Sequence, residues 1–189
     1  MGERQRVGGA QGATLFEVMV ALALLAGAVV ALANLFTVAS RSNSLSRSGT
    51  TAAQLAGQKM EQLHGLAWGY RDDGTELTDA TSNVCVSPEA GAGGTGLGVS
   101  PPGTLFSSVP GFVDYVDHDG GWVGTGSSPP PAAAYVRRWS IDPLPASPGD
   151  TLVFRVAVFR RGTEAGGRGV LGGRFDVALL TSVKTRRAP

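Results

Sequence analysis

Charge is scarce in this chain. Of its 189 residues only 16% are Asp, Glu, Lys or Arg, against about a quarter in an average soluble domain. The 16 bases nearly cancel the 15 acids, leaving a net charge of +1. A polybasic nucleic-acid binder held by bulk charge is thereby excluded, as is a highly charged disordered chain. Cysteine is scarcer still. Cys85 stands alone, which excludes an internal disulfide framework and a cysteine-rich zinc site and leaves Cys85 to be buried or paired between molecules. The two histidines, His64 and His118, belong to no G-x-S-x-G elbow, P-loop or H-E-x-x-H pattern, and a Cys85/His118 pair has no positional signature, so the chain is not expected to be an enzyme. Small and turn-forming residues fill the deficit, with 28 Gly and 11 Pro. A length prior of about 150 residues per domain allows one globular domain plus an appendage.

The apolar residues are unevenly spread. From Val18 to Ser40 there are 23 consecutive residues without a charge, and Val18 to Ala33 is wholly apolar. As a helix this run is roughly 35 Å long at ~1.5 Å per residue, enough to cross a hydrocarbon core of ~30 Å. A cleaved signal peptide needs an apolar stretch of only about 7–15 residues, followed by a small-x-small site. The run is longer than that, and Glu17 stands immediately before it. A carboxylate at the mouth of a membrane span costs a few kcal/mol if drawn inward, so it calls for a partner or a function. Arg4 and Arg6 precede it, on the side that stays cytoplasmic under the positive-inside tendency.

At the junction Gly12-Ala13-Thr14-Leu15-Phe16-Glu17 the sequence resembles the prepilin motif of type IV pilins and type II secretion pseudopilins. In that family a short basic leader ends in Gly, a Phe-Thr-Leu-Ile-Glu-like run opens the mature chain, and an apolar helix follows. Ala13 and Phe16 depart from the usual Phe and aliphatic residue; Gly12, Thr14, Leu15 and Glu17 match. The resemblance implies that a prepilin peptidase cuts between Gly12 and Ala13, that the new amino group on Ala13 is methylated, and that Glu17 draws the amino terminus of a neighbouring subunit during filament assembly. The physics accords with that role, because opposite charges in a low-dielectric core attract far more strongly than in water.

Helical spacing continues beyond the apolar run. Val38, Leu45, Ala52, Leu55, Met60, Leu63 and Ala67 mark one stripe, with Arg41, Arg47, Gln58 and Glu61 towards solvent, and no Pro occurs before Pro88. Gly65, Gly69 and Asp72-Asp73-Gly74 end it. The stretch Ala52 to Leu63 also resembles the A-x-x-L-A-x-x-K-M-E-x-L segment of PilV-type minor pilins and their related minor pseudopilin. Within the apolar run, Ala23, Gly27 and Ala31 place small residues every four, which lets another helix approach closely; the alternative is that Ala is simply common there.

From Leu77 to about Ser128 the composition turns to Gly, Pro and Ser, as in Ala90 to Gly98 and Gly124 to Pro131, and reads as long surface loops. Charge separates along the chain. Eight acids and no base lie between Arg71 and Arg137, whereas ten bases and four acids follow from Arg137 onward, an arrangement that suits lateral electrostatic docking of an acidic and a basic face. Strand alternation then appears at Tyr135 to Asp142 and Leu152 to Phe159, and again at Phe175, Val177, Leu179 and Thr181. The expected fold is α+β: a long N-terminal helix, half membrane-spanning and half amphipathic, packed on an antiparallel sheet of three or four strands. Pilin resemblance implies the same architecture. The expected divisions are a leader at 1–12, a transmembrane and assembly half of the helix at 13–40, an amphipathic half at 41–67 and a loop-rich β domain at 68–189.

Other chemistry is thinly represented. Gly91/Gly93/Gly96 and Gly167/Gly169/Gly172 match G-x-G-x-x-G but lack the strand before and helix after that a dinucleotide loop needs. Asp117 and Asp119, ahead of Gly120-Gly121, are the one dense oxygen cluster and offer carboxylates to Ca2+, although the full D-x-[DN]-x-[DN]-G loop with a distal Glu is absent; a plain solvated turn is the alternative, and no other cofactor is expected. In the basic C-terminal third, which ends Lys184-Thr-Arg186-Arg187, the bases alternate with apolar strand residues rather than clustering, as on a solvated sheet face, so DNA is not expected as a partner. The expected function is a minor pilin subunit of a type IV pilus, with other pilin subunits, a prepilin peptidase and an inner-membrane assembly platform as partners and no small-molecule substrate. Its expected location is a single-pass insertion in the inner membrane, N-terminus cytoplasmic, and then the filament. A minor pseudopilin of type II secretion is the nearest alternative. A membrane-tethered module whose loops bind Ca2+, DNA or a surface is the alternative from another class.

Overall fold

The computed structural model describes residues 14–162 and 177–186. One helix, α1, runs Leu15–Gly65, and seven strands follow: β1 Trp68–Tyr70, β2 Glu76–Thr78, β3 Val113–Val116, β4 Trp122–Thr125, β5 Tyr135–Pro143, β6 Thr151–Arg160 and β7 Val177–Thr185. The chain divides into two units at Ser44/Leu45.

In the first unit every described residue of α1 is exposed. Thr14 starts the helix: its hydroxyl accepts the Glu17 N–H at 3.3 Å and its carbonyl accepts the Val18 N–H at 3.2 Å. This is one of the four orphan donors of a helix N-terminus being satisfied by an N-cap side chain. In the apolar run the Thr37 hydroxyl turns back on the Ala33 carbonyl at 2.9 Å, so that polar group needs no water. Helix α1 is long and apolar enough to cross a membrane.

In the second unit the remainder of α1 lies on one face of a five-stranded antiparallel sheet of order β4-β3-β5-β6-β7, with β1 and β2 forming a separate hairpin. Ala52, Leu55, Ala56, Met60 and Leu63 of α1 pack with Trp139 and Ile141 of β5 and with Phe154, Val156 and Val158 of β6 in one apolar core. A smaller cluster of Val113, Tyr115, Ala133 and Val136 forms a second core. The α+β arrangement expected from periodicity is present. The main sheet has five strands rather than three or four, because β3 and β4 arise from a segment expected to be loop.

Three other expectations need correction. The stretch from Leu77 to Ser128 is not merely surface: Val84, Cys85, Leu97, Phe112, Val113, Tyr115 and Val116 from it are buried. Hydrogen bonds within the segment hold it in place. Asp79 accepts the Thr81 and Ser82 N–H groups, Asn83 Oδ1 accepts the Cys85 N–H, and the Asn83 and Ala90 backbones pair. Gly96, at φ +49°, lies so close to Asp79 that a Cβ there would meet the Asp79 backbone. Strand β7 faces the opposite way from the expected alternation. Ala178 and Leu180 pack on the core, in register with Val158 and Val156, while Leu179 and Val183 are exposed. A shift of one residue exchanges the faces of a strand; Phe175 lies outside the described residues. Val38 and Leu45 on α1 are exposed, and Ala67, also exposed, lies beyond the helix end at Gly65, so the buried stripe of α1 covers only Ala52 to Leu63.

Candidate functional site

The processing residues Gly12 and Ala13, the leader at 1–12, and Gly167, Gly169, Gly172 and Arg187 lie outside the described residues. Glu17 is exposed in the first turn of α1. With Thr14 it has the T-x-x-E spacing of a capping box, a local structural reason for a Glu at that position that is independent of assembly. Ala23, Gly27 and Ala31 are exposed along the helix, and a Cβ on Gly27 would meet nothing within 4 Å.

In the second unit, the matched letters of the Ala52 to Leu63 segment are the inward ones. Ala52, Leu55, Ala56, Lys59, Met60 and Leu63 are buried, and Glu61 is exposed. Sequence reasoning missed Lys59, although a Lys inside an apolar stripe at 52, 55, 56, 60 and 63 was the signal. Its side chain is 1% exposed, and Nζ lies 2.7 Å from Asp114 Oδ2, whose carboxylate is equally buried. Lys59 also donates to Gln62 Oε1 at 2.6 Å and to the Val84 carbonyl at 2.5 Å, and it sits 4.4 Å from the centre of the Trp139 ring. Arg137, directly opposite Asp114 in the β3–β5 register, grips the same carboxylate through Nε at 2.7 Å and Nη2 at 2.8 Å. Burial holds the Lys59 ammonium below its ordinary pKa; Asp114 opposes that shift and Arg137 reinforces it. Burial likewise pushes the Cys85 thiol up. An inert, protonated thiol is what such a site favours.

Charges that are distant in sequence therefore meet inside the fold. Asp114 pairs with Arg137, and Glu76 with Arg186 at 2.9 Å. Acid and base segments thus neutralise each other in part rather than forming two opposed faces. Arg186 also stacks over Trp68, 3.8 Å from the ring centre, and donates to the Gly69 and Gly149 carbonyls. Lys184 donates to the His64 and Leu66 carbonyls at the end of α1, satisfying acceptors that a helix C-terminus leaves open. His64 meets Ser182 at 2.9 Å and packs edge-on against Phe154.

Asp117 spends one carboxylate oxygen on its own turn, accepting the Asp119 N–H at 3.0 Å and the Gly121 N–H at 2.7 Å. Among the described residues no group of three or more His, Cys, Asp or Glu is placed to hold a metal ion. Among the described residues no helix follows Gly96, so Gly91/Gly93/Gly96 meets no helix N-terminus there. His118 is exposed while Cys85 is buried. The clefts among the described residues include one of about 600 Å³ at the end of α1, between Trp68, Tyr70 and Lys184, one of about 310 Å³ between Asn83, Cys85, Thr95 and Thr125, and one of about 200 Å³ beside Lys59 and Arg137. Comparison with protein-family models, curated proteins and solved structures returned no match.

Proposed function

We propose that this chain is a minor pilin-like subunit, inserted in the inner membrane by the first half of α1, cleaved after Gly12, and assembled into a type IV filament through helix packing and a contact between Glu17 and a neighbour's amino terminus. The observation that carries this reading is the position of Glu17, the one carboxylate at the head of an exposed helix half that is uncharged from Val18 to Ser40. Such a surface needs lipid or other helices around it, and a carboxylate there needs a cation. The Gly12-to-Glu17 motif and the second stretch at Ala52 to Leu63 support the same assignment. The globular unit then decorates or primes the filament.

The capping-box geometry dictates the choice of test. Glu17→Gln keeps a residue suited to the Thr14 box and removes the charge. The expected outcome is normal membrane insertion with loss of the protein from sheared filaments, the same result as for Glu17→Ala; normal recovery of both variants in filaments would refute the assembly role. Gly12→Val is expected to leave a larger, uncleaved precursor, and normal processing of that variant would contradict the site.

A further inference from the structure

The cleft of about 600 Å³ at the end of α1 has strand edges on two sides. One is β1, whose ladder with β2 is fixed by the Arg71 N–H bonding the Thr75 carbonyl and the Asp79 N–H bonding the Ala67 carbonyl. In an antiparallel pair, residues that exchange hydrogen bonds alternate with residues that do not. Gly69 therefore bonds Leu77, while Trp68 and Tyr70 turn their backbone N–H and C=O groups away from β2. The other edge is β7. The Arg186 N–H bonds the Asp150 carbonyl in register with the β6–β7 ladder, so the even-numbered residues of β7 bond β6, and Leu179, Thr181, Val183 and Thr185 turn their backbone groups outward. None of these outward groups has a backbone partner among the described residues. Trp68, Tyr70, Val183 and Thr185 all line the cleft.

The β7 edge also lacks the devices that close an edge to other chains. It is nine residues long, pairs with β6 without a register shift, contains no Pro, and gives its one charge, Lys184, to the His64 and Leu66 carbonyls. The far edge of the same sheet is guarded: β4 has four residues, and its register with β3 shifts at Tyr115/Val116. Charges around the cleft are already matched. Arg186 lies over the Trp68 and Tyr70 rings and pairs with Glu76, and His64 meets Ser182.

We propose that the β7 edge and this cleft together form a docking site for an extended, uncharged peptide segment of another protein, which adds a strand to the sheet. The outward groups from Leu179 to Thr185 supply the main-chain bonds, and the cleft beside Trp68, Tyr70 and Leu77 receives side chains of the segment. At ~3.3 Å per residue the edge from Leu179 to Thr185 spans about 23 Å, so about six residues of the partner are enough. A charged segment is disfavoured, because desolvating an ion against a lining without a free counter-charge is costly.

The test follows amide hydrogen exchange of the full chain in detergent micelles, with the peptide acetyl-Ser-Val-Thr-Val-Ser-amide as probe. Without peptide, the Leu179, Thr181 and Val183 amides are expected to exchange at least ten-fold faster than those of Leu180 and Ser182, which bond β6. Saturating peptide is expected to slow the first set ten-fold or more and to leave the second unchanged. The same peptide N-methylated at every residue keeps its side chains and loses its donors, and it is expected to give no protection. Two variants guard the conclusion. Val183→Pro deletes one outward donor and leaves the β6 ladder intact, and it is expected to abolish the peptide response. Val183→Lys places a guarding charge on the edge without touching the backbone, and it is expected to weaken the peptide ten-fold or more. Outward amides as slow as the ladder amides, equal protection by the N-methylated peptide, or an undiminished response in Val183→Lys would overturn the proposal. Protection of the outward amides that rises with protein concentration in the absence of peptide would assign the edge to a second copy of this chain and overturn the choice of partner.

Discussion

Lys59 Nζ and Asp114 Oδ2 lie 2.7 Å apart, each side chain 1% exposed, so the globular half of α1 is joined to β3 by an ion pair sealed from water. Removing one partner from such a pair is costly in a particular direction. Asp114→Asn keeps the shape but leaves Lys59 and Arg137 facing each other without a counter-charge, and it is expected to cost about 3–5 kcal/mol. Lys59→Met keeps the Asp114–Arg137 pair and replaces the buried stem with an apolar one of similar reach, so it is expected to stay within about 2 kcal/mol of the parent. Denaturant unfolding followed by tryptophan fluorescence reads this unit alone, because Trp68, Trp122 and Trp139 all lie in it. The reverse ordering of the two variants would show that Asp114 is not the pivot of the cluster.

Stability is expected to respond to alkaline pH in two opposed ways. Lys59 is held below its ordinary 10.5, chiefly by burial. As pH approaches 10.5 the unfolded chain still carries that proton after the folded chain has released it, so this group makes stability rise with pH. Cys85 is held above its ordinary 9.0, again chiefly by burial. Above pH 9.0 the unfolded thiol ionises first, and this group makes stability fall as pH rises. Denaturation midpoints measured between about pH 8 and 11 separate the two. Lys59→Met is expected to remove the rising component and Cys85→Ala the falling one, so the variants diverge from the parent in opposite senses.

What could be read from the sequence follows from which parts are periodic. Helix α1 and strands β5 and β6 repeat an apolar residue at a regular step over nine residues or more, and each formed where that repeat placed it. Strand β7 could be recognised as a strand but not oriented: in Val-Ala-Leu-Leu-Thr-Ser-Val both alternations contain apolar residues, and only the register against Val156 and Val158 selects Ala178 and Leu180. The segment before β5 has no period at all. It buries the pair Val84-Cys85, Leu97 alone and the short run Phe112 to Val116, set among Gly, Pro and Ser, so composition alone suggested surface loop. The ion cluster was hidden for a related reason. Asp114 sits among eight acids and Arg137 opens a basic stretch, and nothing local announces that β3 and β5 set them side by side.

The end of α1 depends on a residue far along the chain. Lys184 donates to the carbonyls of His64 and Leu66, and the next turn is secured by the Asp79 N–H bonding the Ala67 carbonyl at 2.9 Å. Lys184→Met keeps the apolar stem and deletes the charged donor. It is expected to cost about 1.5–3 kcal/mol, the range for hydrogen bonds involving a charged group. Amide exchange at Leu66 and Asp79 is expected to quicken by more than at β5; uniform quickening across the unit would mean that Lys184 supports the core generally rather than the helix end.

The small residues of the apolar half of α1 separate a folding effect from an assembly effect. Ala23, Gly27 and Ala31 are exposed, and nothing lies within 4 Å of the place a Cβ would occupy on Gly27. Gly27→Leu therefore meets no obstacle within the chain, and replacing a mid-helix Gly favours the helix by about 0.5–1 kcal/mol. A larger side chain at that position does obstruct the close approach of a second helix. If filament packing uses this face, Gly27→Leu is expected to leave membrane insertion and the tryptophan unfolding curve unchanged while lowering the yield of this protein in sheared filaments several-fold. Ala33→Leu, on the same helix but about 120° round it from Gly27 at ~100° per residue, serves as the control for added bulk. Equal losses from both variants would assign the effect to bulk in the membrane rather than to the Ala23, Gly27 and Ala31 face.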